Sequence, residues 1–150
     1  MSPVVSTVLL AMAPISELRG AIPLALVHFG MSWPKAYLLS VAGNIIPIIF
    51  ILYFLESLQR WLRRFPSADK FITWWFGHIR RRSRLVEKYE ALGLVLFVAI
   101  PLPVTGAWTG SMAAWLFGIR FRLAFPAIAL GVLIAGVLVT LASLGIIKIF

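Results

Sequence analysis

Charge in this 150-residue chain is confined almost wholly to one segment. Residues 56–90 hold nine of the fourteen Lys and Arg and four of the five acids. The two apolar flanks share only Glu17, Arg19, Lys35, Arg120, Arg122 and Lys148. The chain is 61% hydrophobic, whereas soluble domains run at about 45–50%. Flanks this apolar belong in lipid. There every backbone N–H and C=O must be satisfied within the protein, which restricts the fold to helices or a closed barrel. The spans below have helical length, so the expectation is a single all-α integral membrane domain.

The net charge of +9 matches a nucleic-acid binder in size but not in layout. A basic belt between apolar halves fits a cytoplasmic segment beside anionic headgroups, and no nucleic-acid partner is expected. There is no Cys, and His28 and His78 stand far apart. Disulfides, a thiol nucleophile and a metal site are therefore not expected, and no cofactor is implied. Residues 11–13, Ala-Met-Ala, resemble a signal-peptidase site. No Lys or Arg precedes Arg19 and Pro14 would follow the cut, so the segment is read as mature membrane sequence.

Residues 34–55 form one apolar span of 22 residues, roughly 33 Å of helix against a hydrocarbon core of about 30 Å. Pro34 suits the first turn, and Pro47 predicts a kink. Residues 123–147 form a second span with Gly131, Ala135, Gly136 and Ala142 as small surfaces for close packing. Two further apolar stretches are broken in the middle. Residues 3–29 contain Pro14, Gly20 and Pro23, and residues 91–118 contain Pro101, Pro103, Gly106 and Gly110. The arms on each side of a break are too short to cross. Each stretch therefore reads as a re-entrant helical hairpin, entering and leaving on one side. Within the belt, Phe71, Ile72, Trp75, Phe76 and Ile79 make an apolar stripe opposite Asp69, Lys70, Thr73, His78 and Arg80. That pattern predicts a basic amphipathic helix in the interface plane.

An offset of 88 superposes Phe29 on Phe117, Gly30 on Gly118, Ala36 on Ala124 and Gly43 on Gly131. An offset of 87 superposes Pro14 on Pro101. Each half then reads as hairpin, Phe-Gly turn and full span: repeat one at 3–55, linker at 56–90, repeat two at 91–147. With the belt in the cytoplasm, the first hairpin opens outward and the second inward, and Arg120 and Arg122 emerge on the cytoplasmic side. The expectation is an inverted repeat, multi-pass in the inner (cytoplasmic) membrane.

The block "PISELRGAIPLAL", the Gly43, Asn44 and Pro47 pattern, and "PLPVTGAWTG" resemble the small multidrug export protein family over nearly the whole chain. The Glu17, Arg19, Gly20, Pro23 block is the most specific part. That family is similar to the wider DedA superfamily. The resemblance implies two opposed re-entrant hairpins, an acidic residue in the first, and movement of polyprenyl phosphate or other lipids with proton coupling. Where DedA-type sequences carry arginines in or after the second hairpin, residues 101–110 carry no charge here and only Arg120 and Arg122 follow.

Glu17 and Arg19 are the charges least expected in such a setting. An unpaired carboxylate at the bilayer centre costs about 2.5–3.5 kcal/mol on insertion scales. Glu17 must therefore find a cation or stay protonated. One reading makes it a proton-coupling group, with Arg19 offering a planar fork to an anionic headgroup. The bland reading is a structural ion pair that holds the hairpin shut. Across the repeat interface, Thr105 and Thr109 are candidate partners for Glu17, and a substrate phosphate for Arg19. Asn44 is a candidate interhelical bond or a cap for backbone freed by Pro47. His28 reads as interfacial, and Trp108 as cavity lining or packing.

The leading expectation is a small transporter or flippase for an amphiphilic, anionic substrate. The alternatives are a multidrug or cation exporter using Glu17, and a non-transporting scaffold that binds lipid or partners through the belt. An enzyme is not expected: there is no Ser/His/Asp set and no second acid in the apolar flanks. Four short membrane elements do not easily enclose a pathway, so a homo-oligomer, a dimer among the options, is expected.

Overall fold

In a computed structural model of the chain, residues 1–62, 64–82, 89–100 and 105–149 are described. Among them the regular structure is helical throughout. Seven helices follow in order: α1 (Pro3–Met12), α2 (Glu17–Val27), α3 (Trp33–Leu62), α4 (Pro66–Arg82), α5 (Ala91–Ala99), α6 (Ala107–Leu116) and α7 (Phe121–Ile149). Two windows are long and apolar enough to cross a bilayer. These are Trp33–Phe54 in α3, with mean hydropathy 2.0, and Phe121–Ile146 in α7, with mean hydropathy 2.5.

Residues 8–28 are not one rod. Ser2 caps α1 by accepting from the Val5 N–H at 3.2 Å, with Pro3 in the first turn. The helix stops at Ala13, whose backbone turns extended and whose N–H reaches back to Leu10. Pro14 and Ile15 stand exposed at the tip. Ser16 then donates to the Leu10 carbonyl, tying the tip to the end of α1. Glu17 adopts a left-handed φ of +43°, a costly geometry for a residue with a Cβ, and α2 starts there. Pro23, placed at the break by its sequence context, instead lies inside α2. The helix continues past it, with the Arg19 carbonyl losing its i+4 donor. Pro47 is likewise inside α3 and buried, and Pro126 inside α7.

The long helix α3 also exceeds its expected end at residue 55, running on to Leu62. The sequence "ESLQRWL" contains good helix formers and no breaker before Pro66. The edge of the apolar span is therefore not the edge of the helix. In the second half, α5 ends at Ile100 and α6 starts at Ala107. The expected breakers Pro101 and Pro103 lie outside the described residues.

The contacts fall into matched pairs. α1 packs on α3 and α5 on α7, α2 packs on α7 and α6 on α3, and α3 packs on α7. Close approach explains two glycines. A Cβ on Gly43 would strike the Val8 carbonyl oxygen and Ala11 of α1, and one on Gly131 would strike Val98 and the Val95 carbonyl oxygen of α5. Gly30 and Gly118, each after a Phe, take φ of +60° and +69° in the turns that lead into the long helices. Ala36 and Ala124 are fully buried.

The long helices run antiparallel. The Tyr53 and Phe121 rings meet at 4.8 Å, tilted by 38°, the Tyr37 hydroxyl donates to the Leu133 carbonyl at 3.0 Å, and Gly136 lies against Tyr37 and Val41. The amphipathic α4 forms over the expected stripe, and part of that stripe packs inward. Ile72 is buried, and the Trp75 indole N–H points at Met112 Sδ of α6 at 3.2 Å. Phe71, assigned to the same stripe, is exposed.

Candidate functional site

Two helix N-termini, those of α2 and α6, meet inside the molecule. Glu17 is the first residue of α2 and is only 8% exposed. Its Oε1 accepts the Trp108 backbone N–H at 3.2 Å, and the Ala107 amide also faces the carboxylate. Those are the first amides of α6, which have no acceptor within their own helix. The carboxylate thus sits where the partial positive charge of α6 is greatest. Gly106 makes this approach feasible, since a Cβ there would occupy the space of the carboxylate. The Trp108 indole N–H donates to the Met12 carbonyl at 3.0 Å, fastening the end of α1 to the same junction.

Arg19 crosses to the other hairpin as well. Its Nη2 donates to the Thr105 carbonyl oxygen and, at 3.1 Å, to Thr105 Oγ1. Thr105 Oγ1 in turn donates to the Ile100 carbonyl at 2.8 Å. The expected partner assignment is therefore corrected. Thr105 serves Arg19, Thr109 donates locally to the Gly106 carbonyl at 3.3 Å, and Glu17 takes backbone amides. The reason is geometric: helix N-terminal amides are fixed, unpaired donors, whereas a hydroxyl in the helix is drawn to its own carbonyls. Among the described residues no ion pair joins Glu17 directly to Arg19. Each holds the opposite hairpin instead.

A small cavity of about 10 Å³ adjoins the two charges, bounded by Asn44 of α3, Val98 of α5, and Val132, Ala135 and Val139 of α7. That is about the space for one water. Among the described residues no other titratable side chain lines it. Asn44 is 1% exposed, and its Oδ1 has no hydrogen-bond partner. Pro14 belongs to the turn between α1 and α2, whereas Gly20, expected at the break, lies inside the first turn of α2, its N–H donating to the Ser16 carbonyl at 2.8 Å. Gly110 is seated against Val98.

Arg120 and Arg122 do not join the site. Both are exposed at the start of α7. The nearest α7 residue on the cavity, Val132, is ten positions on, roughly 15 Å along the axis. The amides of Ala107 and Trp108 escaped sequence reading because a backbone donor leaves no residue-type signal. Ser40 escaped too, although it stands one helical turn from Asn44 in an apolar span.

No curated protein and no solved structure matches the chain. A family model does match over residues 17–138, from the buried Glu17 into α7 past Val132 and Ala135 of the cavity wall. Two helices of membrane-crossing length lie within or across that range, and their exposed faces are Leu-, Ile- and Phe-rich. The chain is thus a membrane protein, and it belongs to the family described as "Putative small multi-drug export protein".

Proposed function

We propose that the chain is a small transporter that moves an amphiphilic, anionic substrate, a polyprenyl phosphate or similar lipid, with Glu17 as the proton-coupled group and Arg19 as the anion contact. The single observation that carries this reading is the meeting of two helix N-termini at one buried carboxylate, held by amides of α6, with the Arg19 guanidinium two residues on bonded to Thr105 beside it. Helix N-termini attract anions. While Glu17 is ionised it supplies that anion itself. Once it is protonated, the amides and Arg19 are left with unmatched positive potential, which suits a phosphate headgroup. Proton uptake and headgroup binding would then be two faces of one exchange.

In this reading α1–α2 and α5–α6 are re-entrant hairpins of an inverted repeat. Their helices are 10, 11, 9 and 10 residues long, at most roughly 17 Å each, too short to cross about 30 Å of hydrocarbon. Support comes from the matched contacts, the matched glycines and the antiparallel long helices. An exposed Ile15 at the first tip suits a lipid-facing position. The basic belt then lies in the cytoplasm by the positive-inside rule, the chain is multi-pass in the inner membrane, and no catalytic step is involved.

The test is translocation in liposomes of a labelled polyprenyl phosphate and of a cationic dye, with and without a pH gradient. For the lipid, Arg19→Ala is expected to slow movement at least about tenfold, because charge-assisted hydrogen bonds contribute roughly 1.5–3 kcal/mol. Glu17→Gln is expected to abolish the dependence on the gradient. Wild type and both variants behaving alike on both substrates would overturn the reading. The family description, which names multi-drug export, favours a second one: export of drugs or cations, for which Glu17 would be the cation contact. Under it, dye movement needs Glu17 and survives Arg19→Ala.

A further inference from the structure

Three side-chain atoms among the described residues are fully buried without any hydrogen-bond partner: Asn44 Oδ1, Ser40 Oγ and Thr140 Oγ1. They are not scattered. Ser40 and Asn44 are i and i+4 on α3 and share one face. Thr140 comes from the facing helix α7, one residue beyond the cavity-lining Val139. Three other helical hydroxyls among the described residues behave differently. Thr7, Thr73 and Ser111 each donate to the carbonyl four residues back, at 2.8, 2.9 and 2.6 Å. Ser40 and Thr140 forgo that bond, so their oxygens stay open to something else.

Their positions fall at successive levels along α3 and α7. Asn44 bounds the cavity beside Glu17 and Arg19. Thr140 bounds a second cavity of about 400 Å³, with Trp33, Tyr37, Val137, Leu141 and Leu144. That second cavity lies at the level where α3 begins, and Trp and Tyr there are typical of the membrane–water interface. From residue 33 to residue 44 the helix rises roughly 16 Å, about half of a hydrocarbon core. Ser40 sits between the two levels. On the other side of Asn44, Ile48 of α3 and Ala124, Ala127 and Ile128 of α7 are all buried and apolar. The polar file therefore runs one way only, toward the face opposite the basic belt.

We infer that Thr140, Ser40 and Asn44 form a water-conducting half-channel, closed toward the belt, by which water and the protons it carries reach Glu17 from the opposite face. Leaving three buried oxygens dry is expensive. Water between them supplies the missing donors and needs a polar lining of this kind. Among the described residues the charged groups at its inner end are Glu17 and Arg19 of α2; α3, α5, α6 and α7 contribute none to the cavity there. This deepens the transport reading by giving the coupling group a side of access, but wetting is measured independently of any substrate.

The chain has no cysteine, so single thiols report cleanly. Ser40→Cys, Asn44→Cys and Thr140→Cys would be exposed to silver ion in proteoliposomes, then denatured and labelled with a maleimide at whatever thiol remains. Ile48→Cys and Ile128→Cys, at fully buried apolar positions, serve as the dry controls, and Ser32→Cys, exposed, as the wet one. Blocking at 40, 44 and 140 is expected to be at least about tenfold faster than at 48 and 128. Equal protection at all five buried positions, with Ser32→Cys reacting, overturns the half-channel. So does equal reaction at 48 and 128. Where Asn44→Cys disturbs the site, water-to-side-chain magnetisation transfer to Ser40 and Thr140 in the unaltered protein decides. No transfer overturns the inference, whatever the transport assay gives. Transport without wetting, or wetting without transport, separates the two readings.

Discussion

The side chain that decides the site is one that is missing. Gly106 lies against the Glu17 carboxylate, and even a methyl group there would take the space of the carboxylate oxygens. Gly106→Ala is therefore expected to push Glu17 off the Ala107 and Trp108 amides. The cost should be about 1–3 kcal/mol, as for overpacking elsewhere, read as a lowered thermal midpoint in detergent together with lost transport. Gly145→Ala, where a Cβ meets nothing within 4 Å, should leave both unchanged. That Glu17 and Arg19 need partners was legible in the sequence, because opposite charges in an apolar segment demand a reason. Their partners were not. Trp108 and Thr105 lie 91 and 86 residues away along the chain. Only the meeting of the two hairpins selects a backbone amide over the nearby threonine hydroxyls.

Helices in this chain are delimited by breakers and caps rather than by lipid. The α1–α2 break follows from Pro14 and a left-handed Glu17, and α3 runs past its apolar window until it approaches Pro66. The spans were legible from apolarity, but their ends were not, since hydropathy measures residence in lipid and not hydrogen bonding. Pro23 was misread for a related reason: a helix buried on several sides tolerates the loss of one bond. Packing between elements depends on two small residues. Gly43 lets α1 lie on α3 and Gly131 lets α5 lie on α7, with backbone oxygens within 2.7 and 3.0 Å of where a Cβ would stand. Backbone cannot swing aside as a side-chain end can. Gly43→Val and Gly131→Val are each expected to cost about 1–3 kcal/mol and to act on equivalent contacts. Their effects should be similar in size and near-additive, because the two sites lie in separate helix pairs. A large loss for one and none for the other, in denaturation monitored by circular dichroism, would show that the two pairs are not equivalent.

Neither half of the molecule buries its own core. Leu18, Ile22 and Ala25 of α2 belong to a cluster that also holds Val98, Ile128, Val132 and Ala135 from the second half, and α6 lies against α3. The charges follow the same rule: Glu17 and Arg19 are satisfied by residues 105–108, and Trp108 by Met12. Separated halves would leave a buried acid and an arginine without these partners, a larger penalty in hydrocarbon than the loss of apolar packing alone. Residues 1–65 or 66–150 expressed singly are therefore expected to be degraded or to aggregate. Co-expressed, they should assemble into a species that elutes like the intact chain, since the cut falls at an exposed turn between α3 and α4. Arg19→Ala in the first fragment should weaken that reassembly, whereas Lys35→Ala, an exposed site on the same fragment, should not. If residues 1–65 alone gave a monodisperse helical protein in detergent, each hairpin would be closed by its own half, and the shared junction would lose its structural role.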